Sequence, residues 1–289
     1  MNFLQQLTAL GHVGDPGDDT RKRVSALFDP EISHSPQRAS HSRPPRRRRW
    51  MVPVAAAALA VAAPAVLGGP GTTDARASAF LTEVSRNVAA GPQTSQADAA
   101  YWYVRLQETS GLGEATVEEW LGHRAPSKFV GHGVDLPESD GSPARFVMGT
   151  RSLSWDTLVS LPTNSESLTR VLRKAGRGAG HDVDSQLFTE VGDLLRASPA
   201  PPGLRAALYT VGAEIKAVRL IGRTTDALGR AAVAIARSNP DGQGEERYLV
   251  DARTGAMLED QQLDRDGRMQ TRITVVTSGG VASSTALPQ

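Results

Sequence analysis

The sequence predicts an α+β fold that has an antiparallel sheet, in the form of a half-open β-barrel or not, with a central group of helices, and that is preceded by one transmembrane helix. Three observations lead to this prediction. Short runs with strand-type alternation lie in residues 101–158 and again in 218–276, and helical periodicity fills the region between them. An uncharged stretch, Met51–Gly69, comes before all of them. Strands, then helices, then strands favour an antiparallel sheet over a doubly wound one.

The composition allows a core and excludes several kinds of chemistry. The chain has 289 residues, of which 39% are hydrophobic, and it contains no cysteine. Disulfides, thiolate zinc sites, iron–sulfur clusters and cysteine nucleophiles are therefore excluded. Residues 1–50 carry nine Lys/Arg and five Asp/Glu, so the basic character is confined to the front of the chain. Because a nucleic-acid-binding module needs a basic face on its folded part, we expect no nucleic-acid partner.

The segment Met51–Gly69 is long enough to cross a bilayer. As a helix, its 19 residues rise about 28 Å, close to the roughly 30 Å of the hydrocarbon core. Pro53 lies in the first turn, where a missing N–H is harmless, and Pro64 lies near the far end. Trp50 stands where an interfacial aromatic residue belongs. The sequence therefore predicts a single membrane span.

An arginine cluster predicts how this span is oriented. Basic residues close to a span stay on the cytoplasmic side of the membrane. We therefore expect a cytoplasmic tail (1–49), a transmembrane helix (50–69) and an extracytoplasmic α+β domain (70–289), with the amino terminus inside the cell. The residues that carry this topology directly precede the span: Arg46, Arg47, Arg48 and Arg49.

A second interpretation treats the same stretch as a secretory signal that is cleaved after Ala75-Arg76-Ala77. The released chain would then be an exported hydrolase or a lipid or lipoprotein carrier. This interpretation requires a leader region of about 50 residues before the apolar run, far longer than usual. We therefore prefer the membrane anchor.

The tail has two short amphipathic stretches. One lies within its first ten residues, and the other follows Thr20, which is suited to cap a helix. Residues 29–49 are rich in Pro, Ser, His and Arg, which is typical of a disordered basic linker. The apolar side chains of the two stretches are candidates for binding a partner: Phe3, Leu4, Leu7, Val24, Leu27 and Phe28.

Beyond the span, the patterns predict a helix over Ala75–Ala90 and then five strands. The strands are Tyr101–Gln107, Thr116–Leu121, Lys128–His132, Arg145–Gly149 and Leu153–Leu158.

Three helices and a terminal meander follow. Thr163 and Glu166 form a capping box that opens the first of these helices, and Leu187 and Gly203 lie near the starts of the other two. The predicted strands of the meander are Val218–Thr224, Ala231–Ala236, Tyr248–Asp251, Met257–Leu263 and Thr271–Val276.

Five aromatic residues are concentrated near the first predicted strands. They have two interpretations: they line an apolar groove for a lipid or a peptide, or they fill the core of a domain that is poor in aromatics. The candidate groove residues are Tyr101, Trp102, Tyr103, Trp120 and Trp155.

We find no catalytic, metal or cofactor motif in the sequence. The histidines lack a second ligand at metal-binding spacing, and we expect His123, His132 and His181 to lie on the surface. Asp264-Arg265-Asp266-Gly267 begins like a calcium loop but lacks the later ligands, so it predicts a hairpin turn. Glu118 and Glu119 fall on opposite faces of one strand and cannot act together on a substrate. We therefore expect a protein that is not an enzyme and holds no cofactor.

Several landmarks occur in an order that resembles a known family. They are the basic tail, the single span, YWYVR at 101–105, Trp120, Leu161-Pro162-Thr163, LLRASPAPPGLRAALY at 194–209 and YLVDARTGAML at 248–258. Together they resemble an actinobacterial family of single-pass membrane proteins that are commonly encoded beside extracytoplasmic-function sigma factors.

The resemblance implies a role in envelope signalling, in which the tail contacts a sigma factor and the outer domain senses a ligand. The family supplies no catalytic residues to carry over. The zinc-binding anti-sigma module uses a histidine and paired cysteines, which this chain lacks, so a tail contact would have to be a helix in a groove. By element order alone, the outer domain also resembles half-open β-barrels that carry lipoproteins or acyl chains.

Overall fold

The main feature of the structure is a large antiparallel sheet with helices packed on one of its faces. In this computed structural model, the described residues are 74–92, 99–136, 139–177, 182–239, 242 and 244–288. We call this part of the chain the folded domain. Its helices are α1 (Ala75–Ala90), α2 (Trp155–Val159), α3 (Ser165–Ala175), α4 (Val183–Ala197) and α5 (Pro202–Glu214). Its strands are β1 (Tyr101–Ser110), β2 (Gly113–Gly122), β3 (Lys128–His132), β4 (Arg145–Met148), β5 (Arg151–Ser154), β6 (Val218–Thr225), β7 (Ala231–Ser238), β8 (Gly244–Val250), β9 (Met257–Asp264) and β10 (Met269–Val281).

The sheet joins the two groups of strands that the sequence separates. Its order is β3-β2-β1-β10-β9-β8-β7-β6, with antiparallel pairing throughout. The long strand β10 pairs with β1 on one side and β9 on the other, so it joins the amino-terminal strands to the terminal meander. The sheet is not closed, because β3 and β6 form its two edges. The predicted α+β class with an antiparallel sheet is confirmed.

The core lies between the helices and one face of this sheet. Alternate residues of β1, such as Trp102 and Val104, point to that face and are buried. They pack in one cluster with helix residues such as Leu81 on α1 and Leu204 on α5. We call this side the helix-covered face and the other side the opposite face.

The predicted strand Leu153–Leu158 is wrong in its second half. Strand β5 ends at Ser154, whose side chain accepts a hydrogen bond from the Thr157 backbone N–H at 3.2 Å and caps helix α2. Trp155 and Leu158 are both buried. A helix places residues three apart on one face, whereas a strand would turn them to opposite faces.

The predicted capping box at Thr163 is also wrong, although the helix it opens is present. The N-cap of α3 is Asn164, whose Oδ1 accepts from the Ser167 backbone N–H at 3.1 Å. Asparagine is among the strongest N-cap residues. Leu168 and Leu172 on this helix are buried.

In the folded domain, no helix is both long and apolar enough to span a membrane. The predicted span, the arginine cluster and the tail all lie outside the described residues.

Candidate functional site

The structure divides the five candidate groove aromatics between the two faces of the sheet. Tyr101, Tyr103 and Trp120 share a cluster on the opposite face. Trp102 and Trp155 lie in the main core, on β1 and at the start of α2. Neighbouring residues of a strand point to opposite faces, which separates Trp102 from the tyrosines beside it. The five therefore do not line one groove, and the second interpretation of the sequence, core filling, describes Trp102 and Trp155.

Tyr103, Trp120 and Lys128 form a row across three strands. They are direct partners in the β1–β2 and β2–β3 registers. The Tyr103 and Trp120 ring centroids lie 4.9 Å apart with planes tilted by 57°, and Lys128 Nζ lies 4.7 Å from the centroid of the indole ring. Tyr101 and Val130 pack against the same cluster. We call these five residues the Trp120 surface.

A partly buried hydrogen bond fixes the chemistry of Tyr103. Its hydroxyl donates to Glu118 Oε1 at 2.5 Å. Burial, and then this hydrogen bond, raise the pKa of the Tyr103 phenol above its ordinary value. The phenol therefore stays protonated and serves as a hydrogen-bond donor, not as a base. The Trp120 surface is suited to binding through aromatic contacts and donors.

Part of the chain itself covers this surface. After β10, the Ala286 backbone N–H donates to Ser283 O at 3.2 Å, which closes a tight turn. Trp120 Nε1 donates to Ala286 O at 2.9 Å, and Lys128 Nζ donates to Ser284 O at 3.4 Å. We call residues 283–287 the covering segment.

A second cluster of polar residues lies inside the helix-covered face. Arg196 on α4 forms ion pairs with Asp260 on β9 and, at 2.8 Å, with Asp193. Tyr248 Oη donates to Glu246 Oε1 at 2.6 Å. We call this group the Arg196 cluster.

Two more buried carboxyl groups lie in the same interior. Glu119 is only 1% exposed, and its Oε2 has no hydrogen-bond partner among the described residues. Burial raises the pKa of Glu119 to about 7, although Arg196 opposes the rise. Burial likewise raises the pKa of Glu190 to about 7. These carboxyl groups affect stability, but they are not open to a substrate.

The predicted separation of Glu118 and Glu119 is confirmed. Glu118 accepts from Tyr103 on the opposite face, whereas Glu119 is buried and its pKa responds to Arg196.

His123, predicted to lie on the surface, is only partly exposed. Its ring stacks on Trp155 with centroids 4.8 Å apart, and its Nε2 lies 2.7 Å from Asp156 Oδ1. The side chain is only 15% exposed. His132 is exposed, as predicted, and His181 lies outside the described residues.

The predicted turn at Asp264 is confirmed. The Gly267 backbone N–H donates to Asp264 O at 3.0 Å, and Gly267 has a φ of 76°. Among the described residues, no group of three or more histidine, aspartate or glutamate side chains is placed to hold a metal ion.

Sequence reasoning missed the Arg196 cluster. One signal could have found part of it: Glu246 stands two positions before Tyr248 and four before Val250, so alternation along a strand puts all three on the same face. Nothing local predicts the pairing of Arg196 with Asp260, because 64 residues separate them. The candidate partner-binding residues of the tail lie outside the described residues.

Comparison with known proteins gives matches among solved structures only. No protein-family model matches the sequence, and no curated protein matches it. The chain is similar to a crystal structure of MucB in complex with MucA(peri), with 15% identity and a TM-score of 0.34 over 72% of this chain and 58% of that chain. The MucA/MucB complex of Pseudomonas aeruginosa gives 15% identity and a TM-score of 0.34 over 73% and 59%. An uncharacterized conserved protein from Thermus thermophilus gives 12% identity and a TM-score of 0.31 over 74% and 95%.

This chain therefore spans 58% and 59% of the chains that it matches in the two MucB complexes. A TM-score of 0.34 is too low to transfer a function. The function of this chain has to be argued from its own residues.

Proposed function

We propose that this chain is a membrane-anchored binding or signalling protein of the cell envelope and not an enzyme. A single span holds it, with the tail in the cytoplasm and the folded domain outside. The observation that carries this proposal is the uncharged stretch Met51–Gly69 directly after Arg46–Arg49. Asp74 and Arg76 cancel each other just beyond the stretch, so the basic charge lies on one side only.

The Trp120 surface supports a binding role for the folded domain. It combines aromatic rings with two donors, the indole N–H of Trp120 and the ammonium group of Lys128. Such surfaces serve recognition, because the rings give contact area and the donors give direction.

The alternative is an exported hydrolase or carrier, released by cleavage after Ala77. The geometry at the start of α1 supports the anchor instead. Asp74 caps α1, its backbone N–H donates to Val218 O at 3.1 Å, and its Oδ2 accepts from the Leu220 backbone N–H at 3.2 Å. Ala77 is fully buried. Cleavage after Ala77 would remove both residues from the folded domain.

Amino-terminal sequencing of the mature protein separates the two functions. An intact Met1 or Asn2 is expected for the anchored protein. A mature chain that begins at Ser78 would contradict the anchor and favour release.

We further propose that the tail binds a sigma factor, as the family resemblance implies. Its apolar residues, on two short amphipathic stretches, would fill a groove of the partner. A chain with Leu4, Leu7, Leu27 and Phe28 changed to serine should lose this contact and alter sigma-dependent transcription. The matched control changes four serines or threonines of the tail, Thr8, Ser25, Ser33 and Ser40, to alanine. Unchanged transcription in the leucine and phenylalanine variant, at equal protein level, would overturn this part of the proposal.

A further inference from the structure

The covering segment is attached to the Trp120 surface through its main chain. Both acceptors are backbone carbonyl oxygens, those of Ser284 and Ala286, and both donors are side chains of the surface, Trp120 and Lys128. A backbone carbonyl is present in every residue, so these two hydrogen bonds do not depend on the sequence of the segment. They depend on a chain path that presents the two carbonyls to the two donors.

The side chains of the segment add little to the attachment. Ala286 packs against the cluster of Tyr103, Trp120 and Val281. Leu287 is 61% exposed. The hydroxyl groups of Ser283 and Thr285 lie 3.1 Å apart and bond to each other. The segment therefore needs a small residue at one position and a tight turn, and little else.

We propose that the Trp120 surface is a binding site for a short peptide turn of small, uncharged residues that another protein presents. The covering segment occupies this site in the structure. The proposal deepens the binding role proposed above by naming a class of partner, but it does not depend on the span or on the tail.

The geometry favours a peptide over a lipid as the occupant. The covering segment satisfies the indole N–H of Trp120 and one ammonium proton of Lys128 with carbonyl oxygens. An acyl chain has no acceptors along its length and would leave the indole N–H of Trp120, a residue only 6% exposed, without a partner, which is costly where water is excluded. Lys128 is exposed, so its ammonium group would return to water. A peptide supplies the acceptors and an apolar side chain together.

A tethered segment competes strongly with a free peptide. A short tether gives an effective concentration in the millimolar range. Peptide binding in solution should therefore be weak for the whole chain and become measurable when the segment is removed. A partner that presents the turn from a folded domain, or from a nearby membrane protein, would gain in the same way from local concentration.

The test uses the full chain in a mild detergent, and a variant that ends after Ala282. The probe is a fluorescein-labelled peptide with the sequence of residues 282–289, followed by fluorescence polarisation. We expect saturable binding to the shortened chain and at least tenfold weaker binding to the full chain. Equal binding by both chains, or no binding to a shortened chain whose circular dichroism matches that of the full chain, would overturn the proposal.

Variants of the surface make the test specific. In the shortened chain, Trp120→Phe keeps a ring but loses the N–H, so we expect about fivefold weaker binding, the effect of one hydrogen bond. Lys128→Met should weaken binding by a similar factor. The matched control is Lys174→Met, because Lys174 is exposed on α3, away from the surface. A loss of binding in the control equal to that in Lys128→Met would contradict the assignment.

A second variant allows the same test if the shortened chain fails to fold. Ala286→Glu in the full chain places a charge against the apolar cluster and should detach the segment without removing it. It should bind the unmodified peptide as the shortened chain does, and a labelled peptide with the same change should not bind. If the full chain instead forms dimers that the shortened chain does not, the occupant is the covering segment of a second copy. The proposal that another protein presents the turn would then be wrong.

Discussion

At the scale of single residues, the interior of the folded domain contains buried ionisable side chains. Glu119 and Glu190 are buried on β2 and α4, and the ion-paired Arg196 lies with them on the helix-covered face. Burying an ionised carboxylate is costly, so burial raises the pKa of both glutamates to about 7. Their protonation therefore changes within the range of pH that cells and their surroundings experience.

The pKa of Glu119 predicts how stability depends on pH. The unfolded chain has the ordinary glutamate pKa of 4.5, and the folded chain has a pKa of about 7. The folded state binds the proton of Glu119 more tightly than the unfolded state does. Proton binding therefore contributes to the free energy of unfolding, and this contribution is complete below about pH 4.5. It is lost as the pH rises towards 7 and is absent above that value. The difference amounts to about 3 kcal/mol.

Glu119→Gln should therefore raise the free energy of unfolding at pH 8 and change it little at pH 5. A glutamine keeps the shape of the protonated acid and has no charge to bury. Thermal unfolding of the full chain, followed by circular dichroism at both pH values, measures the effect. The matched control is Glu114→Gln, because Glu114 lies on the same strand and is exposed. Equal shifts at pH 5 and pH 8 would contradict the assignment of the pKa to burial.

At the scale of elements, local sequence patterns predict the positions of helices and strands that depend on local contacts. Helix α1 has the predicted bounds, as the stripe of Leu81, Val84 and Val88 indicates. The strands of the meander occur where alternation and turn residues place them. Helix α2 was missed because Trp155 and Leu158 are as apolar as strand residues, and the cap at Ser154 that decides between the two is a single residue.

The order of the strands in the sheet cannot be predicted from local sequence patterns, because it depends on contacts between residues far apart in the chain. Strand β10 pairs with β1, so Tyr103 and Gly279 are partners although 176 positions separate them. Placing the end of the chain beside its first strand brings the covering segment to the Trp120 surface. The candidate site was therefore predicted only in part: its aromatics were named, and its geometry was not.

The junction between α1 and the edge strand β6 gives a prediction at this scale. Asp74 accepts from the backbone N–H groups of Arg76 and Leu220. Asp74→Ala removes the helix cap and the side-chain bond to the Leu220 N–H on β6 together, while the backbone bond to Val218 O remains. We therefore expect a loss of about 1–2 kcal/mol in the free energy of unfolding. Urea unfolding of the full chain measures it.

The matched control for this junction is Asp140→Ala. Asp140 caps a neighbouring N–H, that of Ser142, at 2.8 Å, but it makes this bond within its own exposed loop. Asp140→Ala should lower the free energy of unfolding clearly less than Asp74→Ala does. Equal losses would mean that the side-chain bond from Asp74 to the Leu220 N–H adds nothing to stability.

At the scale of the whole molecule, the proposed protein joins a tail, a span and a folded domain with a binding surface. In this proposal the arginines before Met51–Gly69 would set the direction of the span, and the contacts of Asp74 and Ala77 within the folded domain favour a chain that stays whole. In this arrangement the Trp120 surface faces the outside of the cell, where a peptide turn of another envelope protein would meet it. Binding there and the sigma-factor contact of the tail would lie on opposite sides of one membrane.

The most direct test of this arrangement is protease protection in spheroplasts of cells that express the full chain with a tag at each end. We predict that added protease removes the carboxyl-terminal tag and leaves the amino-terminal tag, and that the remaining fragment stays in the membrane after carbonate extraction. Replacing Arg46–Arg49 by glutamate should reduce this asymmetry, whereas replacing them by lysine should preserve it. Protection of the carboxyl-terminal tag, or release of the intact full-length chain by carbonate, would contradict this topology.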